Sequence, residues 1–403
     1  MTATPLRGVP ARDPATTSRA APAPVHPDRR LPPGTASAAL DRLRGPNPAK
    51  RLNARTIAAL TGNPGCTRRA VLDAAGIDKP KLADRIGFPG AFGQSRFALA
   101  RGNAFETMLK ADGGALLLET LGHPATDADY TDLGEDSEDT LGARHARTRE
   151  LLTAGTAADR GALPPRPQGA APSGVLIDHP LLTLDVAGQT VFLEPDLIAF
   201  QVGGRIRVVE IKSFAIVDGQ ADSAKVSAAA TQAAVYVLAL RRLRSGLGHD
   251  PQLVSHDVVL VCPENFSLRP TAVVLDVRKQ LSTLTRQLTR LASVAGIIAA
   301  LPPDLTFDLA RSPADLIAAL AEVAARYAPE CLSACELAAY CRHEATGTTA
   351  ALGRPVREAV GGIETVAEVL ALAAGTRTPA ADQTEAATLL RAAARLRAEA
   401  GVR

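Results

Sequence analysis

Tryptophan is absent from this 403-residue chain and aromatic residues make up only 3% of it, although 46% of the residues are hydrophobic. A core of the size this length allows must therefore be aliphatic and rich in alanine. No apolar run reaches the roughly 18 residues that span a bilayer. The N-terminal stretch "MTATPLRGVPARDPATTSRAAPAP" has no apolar signal core either. It is arginine-rich and poor in acids, like a transit peptide, but its prolines forbid an amphipathic helix. The expectation is a cytoplasmic protein with a disordered leader over residues 1–37. Net charge is small, +3, so a polyanion would have to be recognised in a local groove. The GxxxxGK(S/T) phosphate loop is missing, which excludes a helicase or ATPase motor of that type. Lysine is scarce among the basic residues, which are overwhelmingly arginine. A lysine inside a strand is then less often incidental.

What the chain does have falls into an order. Helical patterns run through about 38–121, the longest being "SRFALARGNAFETMLKADGGALLLETLG". An acidic stretch, "DADYTDLGEDSED" (127–139), and a proline-rich one, "ALPPRPQGAAPSG" (162–174), read as loops on either side of another helix. Strand signals follow in "LLTLDVAG", "QTVFLEPDLIAF" and "RIRVVEIKSF", then, beyond a long helix over about 222–246, in "HDVVLVCP" and "TAVVLDVR". A helix is expected over about 276–300, with helices from there to the C-terminus. The alanine-, leucine- and arginine-rich segment 355–403 reads as a helical hairpin suited to packing on a partner. The fold class is α/β: a small mixed central β-sheet with a crossover helix, embedded in helices, plus a C-terminal helical extension.

The stretch "VFLEPDLIAFQVGGRIRVVEIKS" (191–213) looks like a hairpin with a Gly-Gly turn signal. It carries three charges, Asp196, Glu210 and Lys212, where strands usually carry apolar residues. Side chains alternate along a strand, so Glu210 and Lys212 share a face. Taken alone, the pattern also fits an exposed edge strand. Chemistry supplies the alternative. Phosphodiester hydrolysis uses a divalent cation that polarises the phosphate and lowers the pKa of the attacking water. Mg²⁺ is held by one or two carboxylates with phosphate oxygens and waters. A nearby ammonium orients the water or offsets charge in the transition state. In that reading Asp196 and Glu210 hold the metal and Lys212 positions the nucleophile. A two-residue turn at Gly203-Gly204 would set Asp196 opposite Ile211, on the wrong face. A three-residue turn over 202–204 sets it opposite Glu210, so an odd loop or a bulge is expected.

Three further signals are spread along the chain. Gln232 and Tyr236 in "TQAAVYVLAL" lie four apart, on one face of a helix. Gly102 and Glu106 in "RGNAFE" form GxxxE on another helix. "ECLSACELAAYC" places Cys331, Cys335 and Cys341 within eleven residues, and Cys66 stands alone in "GNPGCTRRAVL". Five cysteines in a cytosolic chain argue for metal or chemistry over disulfides. Four thiolates suit either a [4Fe–4S] cluster or a structural Zn²⁺. Cys262, in the strand "VVLVCPE", reads as core.

In this order the motifs resemble those of the PD-(D/E)XK nuclease superfamily, in its RecB-type branch. The closer likeness is to the iron–sulfur members, which include the CRISPR-associated spacer-acquisition nucleases and the AddB-type recombination nucleases. It runs from about Cys66 to Cys341, two-thirds of the chain. The series of motifs is specific where no single one is. The resemblance implies a restriction-endonuclease-like core in a nuclease domain over 38–345, followed by a helical extension at 346–403. It implies that Glu106, Asp196, Glu210 and the backbone carbonyl of Ile211 bind Mg²⁺ or Mn²⁺. Lys212 would be catalytic, with Gln232 and Tyr236 facing the site, and Cys66, Cys331, Cys335 and Cys341 would hold a [4Fe–4S] cluster. Two departures stand out. Many relatives carry His where Glu106 stands, and the usual CxxC-x5-C is here CxxxC-x5-C, which keeps Zn²⁺ open beside the cluster.

The activity this implies is a metal-dependent DNA nuclease, an exonuclease at single-stranded ends, serving repair, recombination or defence against foreign DNA. Arg68, Arg69, Arg96 and Arg101 on the flanking helices are candidate phosphate contacts. The C-terminal helices are a candidate seat for a protein partner such as a helicase. The rival from another class is a non-catalytic DNA-binding or assembly subunit that keeps the fold as scaffold. Intact Asp, Glu, Lys and Gln positions argue against it.

Overall fold

The computed structural model describes residues 33–60, 63, 65–90, 96–122, 128–134, 140–154, 174–186, 189–202, 205–265, 267–291 and 294–401. The expected leader lies outside these residues as far as residue 32, and the proline-rich stretch as far as 173. The chain opens with α1 (Pro33–Arg44), α2 (Ala54–Leu60), α3 (Thr67–Ala74) and α4 (Lys79–Arg85). Asp78 caps α4 by accepting from Lys81 N, and Pro80 sits in the first turn, where its missing N–H goes unmissed. The next helix, α5 (Arg96–Thr120), breaks over residues 111–114, three of which take positive φ. At Gly114 a Cβ would lie 3.1 Å from the Tyr130 ring, so glycine lets that ring close over the break.

The middle of the chain runs β1 (Ala128–Asp132), α6 (Leu141–Ala154), β2 (Gly174–Asp178), β3 (Leu182–Val186), β4 (Gln189–Leu193), β5 (Leu197–Val202), β6 (Arg205–Ile211), α7 (Ser223–Gly246), β7 (Asp257–Pro263) and β8 (Pro270–Asp276). Helices complete it: α8 (Arg278–Leu291), α9 (Val294–Ala299), α10 (Pro313–Ala321), α11 (Ala338–Glu344), α12 (Arg354–Ala359), α13 (Val366–Ala374) and α14 (Thr384–Glu399). Six strands form one mixed sheet in the order β1-β2-β5-β6-β7-β8, and β3 pairs with β4 apart from it. Within the large sheet β1/β2 and β6/β7 are parallel and the other neighbours antiparallel.

A parallel pair needs a long crossover, and α7 supplies it between β6 and β7. Asp222 starts α7 by accepting from Ala224 N and Lys225 N. Its buried face is built largely of alanine, at 229, 230, 233, 234 and 239, which lets the helix lie close to the sheet. The alternation expected of strands sorts the core in two. Ile198, Ile206 and Val208 face α7, whereas Leu197, Val209 and Ile211 join Phe105 and Leu109 of α5. Among the described residues α7 is the one helix long and apolar enough to cross a bilayer, yet half of that stretch is buried inside the fold. It is a core helix.

Three elements depart from the sequence reading, the first of them β2, for which no strand was expected. Residues 127–139, expected as a loop, contain the edge strand β1. The helix expected over 276–300 is divided into α8 and α9. β1 has no alternating pattern of its own. Its parallel register with β2 holds it, together with Tyr130, whose hydroxyl donates to Asp178 Oδ2 at 2.5 Å.

Candidate active site

The β5–β6 hairpin sets the geometry. Val202 pairs with Arg205, as it would across a two-residue turn, but the register shifts between Ala199 and Val202. Beyond the shift Ala199 faces Arg207, Ile198 faces Val208 and Leu197 faces Val209. The irregularity is thus a bulge in the ladder and not a three-residue turn. Continued by one pair, the ladder sets Asp196 opposite Glu210. There Asp196 Oδ2 accepts from Ile211 N at 2.7 Å, so a carboxylate takes up the strand N–H where backbone pairing stops. On the far side Lys212 N donates to Val261 O at 2.9 Å. These groups lie at the carboxyl ends of the parallel strands β6 and β7, the edge where open α/β sheets bind ligands.

Glu210 is only 1% exposed. Lys212 Nζ pairs with its Oε1, and among the described residues no second donor reaches either Glu210 oxygen. Burial, then the charge of Asp196, push the Glu210 carboxyl up to about 8 against the pull of Lys212. Asp196 is raised too, by burial first, with Lys212 and the Ile211 N–H opposing. Burial works against the Lys212 ammonium, yet Glu210 and Asp196 outweigh it and raise its pKa. Buried Glu210 and half-buried Asp196 both draw on the Lys212 ammonium, and Lys110 acts on Asp196 as a smaller influence.

Helices bring the remaining residues. Gly102 on α5 lies over Ser213. Glu106, one turn on, adds its negative charge to the field at Asp196, Glu210 and Lys212. From α7, Tyr236 is buried and its hydroxyl accepts from Gln232 Nε2 at 3.2 Å. Burial, Glu210 and Asp196 raise the phenol further above its ordinary value, so it stays a neutral donor. Glu106, Asp196, Glu210, Lys212, Gln232 and Tyr236 therefore gather at one end of the sheet. No family model matches the chain, and no curated protein matches it significantly.

Not every candidate falls in this place. Arg68 and Arg69, expected as phosphate contacts, are 3% and 4% exposed, and this corrects the sequence reading. Arg68 donates to Val323 O at 3.0 Å and Leu320 O at 2.7 Å and pairs with Glu344. Arg69 pairs with Asp73 at 3.3 Å. Both belong to the interior. Arg101 is exposed on α5, and Arg96 opens that helix.

The buried arginines lead instead to the cysteines. Asn63 Nδ2 donates to Cys331 Sγ at 3.1 Å, and Arg68 Nη1 to Cys341 Sγ at 3.5 Å. Cys66 lies between those two donors in sequence, and Asn63 and Arg68 each reach the segment that carries the triplet. Lys79 bridges Asp73 at 2.5 Å and Glu336 at 3.1 Å, and with Arg69 it pulls against the burial that raises the Cys335 thiol. Burial pushes Cys341 up to about 12. Cys262, fully buried in β7, is pushed up to about 12 by burial as well.

Sequence reasoning missed Lys110, Tyr130, Asp132, Asp178 and His179, which adjoin Glu106. The only trace of them was the Asp-His pair closing "GVLIDHP". Their meeting depends on β1 and β2, neither of which was expected.

Proposed function

We propose that the chain is a Mg²⁺- or Mn²⁺-dependent deoxyribonuclease of the PD-(D/E)XK kind. Asp196, Glu210 and the Ile211 carbonyl, with Glu106, are the residues to hold the metal, and Lys212 orients the attacking water. The observation that carries this reading is Glu210: a buried carboxylate beside a second one, with Lys212 as its ion-pair partner. Left as it is, such a group is costly; a divalent cation satisfies both carboxylates. When bound, that cation supplies a polarised phosphate and a water of lowered pKa. Tyr236, held by Gln232, is a neutral donor beside Glu210. Single-stranded DNA ends are the substrate the resemblance suggests. The test is Mn²⁺-dependent cleavage of end-labelled single-stranded DNA. Glu210→Gln should lower it at least a hundredfold, and equal rates for variant and wild type would sink the reading.

The cysteine set supports a [4Fe–4S] cluster held by Cys66, Cys331, Cys335 and Cys341. Two of the sulfurs accept N–H donors. Buried Arg69 Nη1, near Cys335, has no acceptor, as suits an additional sulfur in that space. Tetrahedral Zn²⁺ is the alternative occupant of the same four thiolates; iron and zinc analysis of the chain purified without oxygen separates the two.

The Glu210 carboxyl gives a pH prediction. It titrates near 8 in the metal-free fold against 4.5 ordinarily, so the folded chain binds this proton more tightly than the unfolded one. Its contribution is fully present below the unfolded value and is lost as pH rises towards 8, on the order of 5 kcal/mol. A divalent ion displaces that proton. Thermal melts should therefore show Mn²⁺ raising Tm more at pH 8.5 than at pH 6, and Glu210→Gln should flatten the difference.

A further inference from the structure

Beside the candidate site lies a cluster that the nuclease reading leaves unused. Asp132, Asp178 and His179 bring one ligand atom each within 4.8 Å of one another, and Asp178 is fully buried. The arrangement resembles a metal site, but a cation already sits in it. Lys110 Nζ is 2.6 Å from Asp178 Oδ1, 2.6 Å from Glu106 Oε1 and 3.3 Å from His179 Nε2. An ammonium has three N–H donors, and it meets three acceptors here.

The surroundings are built to keep those acceptors in place. Asp178 also accepts from the Tyr130 hydroxyl at 2.5 Å and from His179 N at 2.9 Å. His179 Nδ1 lies 2.8 Å from Asp132 Oδ1, and Asp132 accepts from Gly134 N at 2.7 Å. A proton on Nδ1, assigned from the Asp132 contact, leaves Nε2 as the acceptor for Lys110. His179 holds a φ of +47°, uncommon for a residue with a side chain. At Gly134 a Cβ would stand 2.8 Å from the imidazole, so glycine is needed for the ring to reach Asp132.

We propose that Lys110 is a fixed cation, a positioning residue that stands where a second metal ion would stand and ties Glu106 to the Asp178–His179 pair. Two-metal hydrolases hold their ions about 3.5–4 Å apart. Here Glu106 joins an ammonium to the Asp196–Glu210 site, and one divalent ion suffices. The first ion rests on the nuclease reading; the lysine's place in the second cluster does not.

Counting bound Mn²⁺ by electron paramagnetic resonance on the full chain as purified tests this. Wild type should bind one ion. Lys110→Ala should bind two, the extra one held by Asp178, His179 and Glu106, and Lys110→Ala with Asp178→Asn should return to one. A Lys110→Ala count equal to that of wild type overturns the proposal. Failure of the nuclease reading has a different signature: a wild-type count that is zero, or that Glu210→Gln leaves unchanged, with the added ion of Lys110→Ala still present. If Lys110→Ala unfolds in chelator, its melting transition carries the same test. Mn²⁺ should restore that transition close to the wild-type temperature, and a variant that stays unfolded in millimolar Mn²⁺ rules the fixed cation out.

Discussion

Lys212→Ala lowers the rate of Mn²⁺-dependent DNA cleavage by about a thousandfold, the upper range for one electrostatic group at a reacting centre, while Mn²⁺ still binds at saturating concentration. The separation follows from what Lys212 touches. Its ammonium pairs with Glu210 Oε1, one of about four lone-pair positions on a carboxylate, so it offsets charge and leaves the other positions for a metal. Removing it lets Glu210 titrate higher still, because Lys212 is the group that pulls the carboxyl down. Metal binding in the variant should therefore need a higher pH but not disappear. Glu210→Gln should do the reverse and abolish binding at every pH. Lys212→Arg is not a rescue: a planar guanidinium cannot replace a compact ammonium in this confined place. Stopped assays at pH 8.5 with saturating Mn²⁺ separate kcat from binding. A Lys212→Ala kcat equal to wild type would remove the lysine from the mechanism.

The hairpin was legible because its signals are local. Gly203-Gly204 between two apolar runs marks the turn, and charges at 196, 210 and 212 break the alternation that a buried strand would keep. Even the bulge was within reach, because only an irregular register brings Asp196 opposite Glu210. The Lys110 cluster was out of reach for the opposite reason. Its members come from α5, β1 and β2, and β1 lies in an acidic stretch that no propensity marks as a strand. Tertiary partners decide it: the register with β2 and the Tyr130–Asp178 bond. Arg68 and Arg69 were misread because an arginine next to a helix start looks solvated in sequence. Only the fold shows backbone carbonyls of residues 320 and 323 turned towards Arg68.

Cys331→Ser should lose visible colour, iron and most of its soluble yield together. The contacts that seat Asn63 on Cys331 join residues 268 apart in sequence, and a cross-link over a loop of that length restricts the unfolded chain by roughly 5 kcal/mol. That is a large share of the stability of an ordinary domain. Burial keeps the Cys335 and Cys341 thiols raised, so inserting the proposed cluster would release protons and tie its stability to folding. One cross-link has one strength. Cys66→Ser and Cys331→Ser should therefore destabilise alike, and the double variant should be no worse than either single one, whereas losses from independent packing contacts would add. Cys262→Ala is the control: its thiol is fully buried in β7, in a different core cluster from Cys331, Cys335 and Cys341, and the variant should keep colour and iron. Additive losses from Cys66 and Cys331, with iron retained in each single variant, would mean that these sulfurs only fill space.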